Sequence, residues 1–262
     1  MTAVIRAELL RLWRRRTMVP AFAFAFVFAL VATLVVYSSS PARGPVGPQG
    51  GTTLELLGRQ GGATEAFAVG MSFVGFFVFV SITALLAGEF ANGTFRAVLL
   101  RNPRRLEVIA GKLVGILVVA AALLAFAELS STAISFLLAG GKDVSTSEWL
   151  TAGSALDGLG DFARAFAGVA GWGIFGATLA VLLRSTPLAL GVGIAWAGPF
   201  ENIIVDGWTT GLRVFPGQVL RAIMNGGTPE LGLGRAAVTG LLYAAVAGAV
   251  CLTVLSRRDV TG

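Results

Sequence analysis

The chain has 262 residues, of which 55% are hydrophobic and only 13% charged, with 20 Lys and Arg against 14 Asp and Glu. Soluble domains carry about a quarter of charged residues, so this composition excludes an all-round water-facing surface, and its hydrophobicity excludes disorder. No His is present, and the single Cys251 allows neither an internal disulfide nor a Cys-x-x-Cys site, which removes the commonest metal and acid–base chemistry.

The first element is basic and amphipathic. On a helix, Ile5, Leu9, Leu12 and Trp13 recur at i, i+4, i+7 and i+8, while Arg6, Arg11, Arg14 and Arg15 lie largely elsewhere. This predicts an interfacial helix, with Ile5, Leu9 and Trp13 in the bilayer surface and Arg14 and Arg15 reaching anionic headgroups. The partner expected here is membrane lipid.

A spanning helix needs roughly 20 mostly apolar residues. Six stretches meet that length, at about 18–37, 66–87, 113–139, 162–183, 188–205 and 235–255. The alternation Ala21-Phe22-Ala23-Phe24 in the first imitates a strand, but it alternates size rather than polarity. The first run also exceeds the apolar core of a signal peptide, which predicts a retained span. The expected fold class is an all-α integral membrane protein with six transmembrane helices, read as one domain over 1–262.

Three connecting segments carry their own signals. Thr53–Gln60 reads as a short interfacial helix. In 140–161, Ser145 and Glu148 fit a capping box and predict a helix start. The segment 206–234 is too apolar for a solvated loop and too broken to span, so re-entrant or interfacial helices are expected there. Ala236, Gly240, Ala244 and Gly248 repeat at i+4 along the last span, as do Ala163, Ala167 and Gly171 on the fourth; such stripes permit close helix packing in lipid.

Charge sets the orientation. The two termini, the loop 88–112 and the turn at Arg184 hold thirteen of the 20 basic residues, against seven on the other side. The positive side is read as cytoplasmic, with both termini inside a bacterial plasma membrane. The basic balance is thus a topology signal, and no nucleic acid is expected as a partner. No G-x-x-x-x-G-K-[ST] sequence exists, since Gly111-Lys112 is followed by Leu113 and Gly141-Lys142 by Asp143. No catalytic set is recognisable either.

The segment 88–112 reads GEFANGTFRAVLLRNPRRLEVIAGK. It mixes Phe95, Val98 and Leu99 with Arg96, Arg101, Arg104 and Arg105, and Asn102-Pro103 breaks any helix before it. An amphipathic helix in a short loop suits docking into a partner's groove or lying on the bilayer.

In this loop the chain resembles the ABC-2 type permeases, the membrane subunits of bacterial ATP-driven exporters. A Glu is followed by Gly-Thr-hydrophobic-Arg, then a Leu, a Pro, an Arg and a closing Gly-Lys, here Glu89, Gly93, Thr94, Arg96, Leu99, Pro103, Arg105, Gly111 and Lys112. The tail Arg257-Arg258-Asp259-Val260 is also similar. The resemblance implies a permease dimer, with a second copy of the chain or a homologous permease, seated on two cytoplasmic ABC ATPase subunits. It assigns coupling to Glu89, Asn92, Gly93, Thr94, Arg96, Leu99, Arg101, Pro103, Arg105 and Lys112. ATP and Mg would sit on the ATPase; this chain binds no cofactor and no metal and is not itself an enzyme.

Two further groups are candidates for a substrate path or gate. Glu128 lies mid-way along the third span near Ser131 and Thr132. An ionisable group at that depth costs about 2.5–3.5 kcal/mol on insertion scales, so it faces protein or a watery cavity. A path contact and a neutral, helix-bonded Glu are both open. Glu201-Asn202 ends the fifth span, as a gate or as a solvated helix end. The expected substrate is a hydrophobic drug, antibiotic, peptide or lipid. The alternatives are a non-transporting scaffold or receptor subunit and an ion-coupled carrier using Glu128.

Overall fold

The computed structural model describes residues 1–42, 52–101 and 104–257. Among these the chain is helical apart from turns and one isolated bridge, Gly227 to Gly232. The helices are α1 (Thr2–Leu12), α2 (Arg15–Ser39), α3 (Leu54–Leu57), α4 (Gly62–Ala91), α5 (Thr94–Arg101), α6 (Arg105–Ala139), α7 (Ala152–Leu183), α8 (Thr186–Ala195), α9 (Glu201–Gly207), α10 (Gly211–Val214), α11 (Pro216–Met224) and α12 (Leu233–Arg257). A π turn over Trp196–Phe200 joins α8 to α9; Pro199 lacks the N–H an α ladder would use there.

Six stretches are long and apolar enough to cross a membrane: α2, the larger part of α4, α6, α7, the α8–α9 unit and α12. These match the six apolar runs read from the sequence. The chain has the build of a multi-pass membrane protein. The helices overrun the predicted spans; α7 begins ten residues early, at Ala152.

The centre of the bundle is filled. Phe67, Met71, Phe79, Leu124, Val169 and Trp172 from α4, α6 and α7 enclose Val219, Leu220, Ile223 and Met224 of α11. Thus the broken segment 206–234 contributes a core helix, packed on α7 and α12. The small-residue face of α7 makes that possible: a Cβ at Gly168 would stand 2.1 Å from Met224 Cγ, and one at Gly171 2.2 Å from Leu220 Cδ2. Gly240 of α12 likewise faces Ile223, whereas Gly248 meets nothing within 4 Å. The stripe on α12 is therefore a packing seam only over its first half.

The predicted helix start at Ser145 is not formed. Glu148 accepts from the Gln60 backbone N–H at 2.8 Å, so it does not complete a box with Ser145. Ser145 turns instead to Ser147. The helix begins at Ala152, where Thr151 Oγ1 accepts from the Ser154 N–H at 3.2 Å. The short helix within 53–60 is present as α3, capped by Thr53.

Candidate functional site

The end of the bundle that carries α1, α5, the start of α6 and the end of α12 holds most of the expected site. Helix α1 packs along α6. Close approach depends on two glycines: a Cβ at Gly111 would sit 2.9 Å from Val4 Cγ1, and one at Gly115 3.0 Å from Glu8 Cβ. The packed face of α1 is therefore Val4, Ile5, Glu8 and Leu12, with Leu9 half-buried. Trp13 is expected on the lipid-facing apolar stripe of one continuous helix with Ile5, Leu9 and Leu12. Instead α1 ends at Leu12, Trp13 is 55% exposed, Arg14 is extended and Arg15 opens α2.

Glu8 is buried because it is paired. Lys112 Nζ donates to Glu8 Oε2 at 3.0 Å and to Glu89 Oε1 at 3.0 Å. Arg11 donates to both carboxylates from the solvent side. Glu8, Glu89 and Lys112 are 3%, 8% and 6% exposed. Two carboxylates and two cations make a neutral cluster, which is what lets charge persist in a buried place. The cluster ties α1 to the end of α4 and the start of α6.

The residues expected to couple therefore divide. Glu89 and Lys112 are brought together in a buried ion pair. Arg105 is committed to the end of α12, its Nη1 donating to the Leu255 carbonyl at 2.7 Å. Asn92, Gly93 and Thr94 form an exposed turn, with Gly93 at φ +71°, a region that glycine enters without strain. Thr94 Oγ1 donates to the Glu89 carbonyl at 3.1 Å.

Helix α5 is two-faced. Phe95 is buried against Val108, Ile109, Val181 and Leu255, with Val98 and Leu99 packed beside it. The Phe90 and Phe95 rings lie 4.3 Å apart, and the Arg184 guanidinium covers Phe90. Arg96 and Ala97 are exposed, and Leu100 is 82% exposed. Arg101 ends the helix; Pro103 and the tail from Arg258 lie outside the described residues.

The path candidates separate as well. Ser131 is a buried helix tie, its Oγ 2.9 Å from Thr33 Oγ1 of α2. Thr132 is half-buried on α6. Glu128 is half-buried and faces α7, with Oε1 3.4 Å from where a Cβ at Gly158 would stand. Glu201 is fully buried, and its two oxygens accept from the Gly217 and Gln218 backbone N–H groups at 3.2 Å each. Asn202 Oδ1 accepts from Gln218 Nε2 at 3.2 Å. The solvated-end reading of Glu201 is thereby corrected: a carboxylate supplied by α9 caps the positive end of α11.

Glu8, Thr33, Gly217 and Gln218 are not among the site residues expected from the sequence, and Arg11 is expected only as part of the basic face of α1. Glu8 did carry a signal, as the one acid in an otherwise basic first helix.

A family model described as a protein of unknown function (DUF2705) matches residues 46–261. The chain belongs to the DUF2705 family. No curated protein and no solved structure matches it. In this DUF2705 protein the match takes in Glu89, Lys112, Glu201 and Gln218 but not α1 and α2, which supply Glu8, Arg11 and Thr33 to the same contacts.

Proposed function

We propose that this DUF2705 protein is the permease subunit of an ATP-driven ABC exporter in a bacterial plasma membrane, with both termini and α5 on the cytoplasmic side. The observation that carries the reading is the two-faced α5: Phe95 anchors it while Arg96, Ala97 and Leu100 are left without cover. An apolar side chain beside a cation at an exposed helix face suits a groove in a partner. The buried cluster of Glu8, Arg11, Glu89 and Lys112 then acts as a rigid mount. It passes a push on α5 into α4, α6 and α1 together, as a shift between two packed states. Two ATPase subunits supply ATP and Mg, and this chain binds neither.

The reading puts the substrate path between two permease copies, which the packed apolar centre of the single chain supports. An apolar, weakly charged path suits a hydrophobic drug, peptide or lipid. Co-expression with the ABC ATPases of the source genome, followed by affinity purification in mild detergent, tests the reading. A stoichiometric ATPase in the eluate supports it, and a chain that purifies alone with no ATP-dependent transport overturns it.

A further inference from the structure

The joint between α1 and α2 carries a site that the transport reading does not use. A cavity of about 430 Å³ opens beside it, lined by Trp13, Arg15, Met18, Val19 and Phe22. Residues 15, 18, 19 and 22 share one face of α2, being spaced i, i+3, i+4 and i+7. The wall therefore grades from a guanidinium at the joint to apolar side chains along the helix. Its surfaces are fixed. Met18 is buried against Leu12, and the Phe22 ring stands edge-on to Phe126 of α6 with centroids 5.0 Å apart. Trp13 forms the open rim.

The charge at this joint is unmatched. Arg11, one turn earlier, is consumed by Glu8 and Glu89. Arg14, Arg15 and Arg16 are exposed and make no ion pair or side-chain hydrogen bond among the described residues. Glu8 is the only acid before residue 55, and it is buried in the cluster. Three adjacent guanidinium groups thus await an anion, beside a groove whose other walls are hydrocarbon.

We propose that this groove is a discrete binding site for one anionic glycerophospholipid per chain. Its phosphate sits on Arg15, flanked by Arg14 and Arg16. Trp13 lies at the level of the glycerol backbone, where an amphipathic ring is at home. One acyl chain runs along Val19 and Phe22. Arg15 to Phe22 spans about 10 Å at 1.5 Å per residue, the depth over which headgroup gives way to acyl chain. A free phosphate leaves the apolar walls unused. A zwitterionic lipid brings an ammonium group against three arginines. The site rests on the membrane assignment of the six apolar helices and not on any partner ATPase.

Native mass spectrometry of the delipidated full chain, titrated with phosphatidylglycerol, phosphatidylcholine or inorganic phosphate, tests this. One phosphatidylglycerol is retained per chain under conditions that strip phosphatidylcholine, and inorganic phosphate does not displace it. Arg15→Gln weakens the retained lipid about fivefold, the worth of one interfacial cation. Val19→Trp fills the groove from an exposed position with every charge kept, and abolishes retention. Arg6→Gln, exposed on α1 and away from the groove, leaves it unchanged. Equal retention of phosphatidylcholine, displacement by inorganic phosphate, unchanged binding in Val19→Trp, or equal losses from Arg6→Gln and Arg15→Gln would each overturn the site. The lipid comparison on the wild-type chain decides the matter even where a variant does not fold.

Discussion

Lys112 Nζ lies 3.0 Å from Glu89 Oε1, joining the first turns of α6 to the end of α4 inside the protein. The same ammonium meets Glu8 of α1 at 3.0 Å. These three helices are thereby one body at the end of the bundle that carries α5. Removing the cation leaves two buried carboxylates with Arg11 alone, and breaking a buried pair costs about 3–5 kcal/mol. Lys112→Met is expected to lose that much stability, read as a lower thermal midpoint in detergent. Lys112→Arg, which keeps the charge, loses less. A Lys112→Met variant as stable as wild type would contradict the cluster's role.

On the proposed reading, helix α5 separates anchoring from docking. Phe95 is 2% exposed and Leu100 is 82% exposed, on the same eight-residue helix. Phe95→Ala empties a buried site and costs about 3–5 kcal/mol. Leu100→Asp and Arg96→Glu leave the thermal midpoint within the range of a surface change but weaken capture of the ATPase. A Leu100→Asp variant that retains wild-type capture would move the docking surface elsewhere.

Glu201 holds α11 from α9. Without its carboxylate the Gly217 and Gln218 N–H groups lose their acceptor, at about 1–3 kcal/mol for a buried donor left unpaired. Glu201→Ala is therefore expected to raise hydrogen exchange over residues 216–224 while α2 and α6 stay protected. Unchanged exchange in α11 would show that the apolar face of this helix suffices to hold it.

The glycines of the small-residue stripes are not equivalent. Gly171→Ala forces Leu220 aside and is expected to cost about 1–3 kcal/mol, the usual penalty of overpacking. Gly248→Ala meets nothing and is expected to be neutral. Equal effects on thermal stability would refute the asymmetric seam. Sequence spacing alone does not separate the two positions, because the partner of Gly171 is a helix from a segment that looks too broken to pack.

Glu128 has no ion pair or hydrogen bond among the described residues to lose. Glu128→Gln and Glu128→Leu are expected to keep stability within about 1 kcal/mol of wild type or to raise it, since a half-buried acid is removed. A path role predicts that ATP-driven transport falls in both. Transport at wild-type rate would return Glu128 to a plain helix residue.

The spans were legible because roughly 20 apolar residues in a row have few other uses. The amphipathic character of α5 was legible for the same reason of pattern: Phe95, Val98 and Leu99 recur at helical spacing. What stayed hidden were pairings across long separations. Nothing local ties Glu8 to Lys112, 104 residues on, or Glu201 to Gln218 across a turn of unknown geometry. The Ser145 box failed because a backbone N–H at Gln60, 88 residues away, takes the Glu148 carboxylate. Glu201 and Glu148 find their partners in the tertiary fold, and Glu8 finds Lys112 there besides Arg11 in its own helix.

The proposed coupling is tested most directly by site-specific photo-crosslinking in cells of the source organism, with its ABC ATPases present. Leu100 on α5 and Leu137 near the opposite end of α6 are each 82% exposed on the chain itself, but on the proposed topology only Leu100 faces the cytoplasm, so Leu137 serves as the control on the far side of the membrane. A crosslinker at Leu100 is expected to yield an adduct with the ATPase, and one at Leu137 none. No ATPase adduct from Leu100, or equal adducts from both positions, would contradict the account.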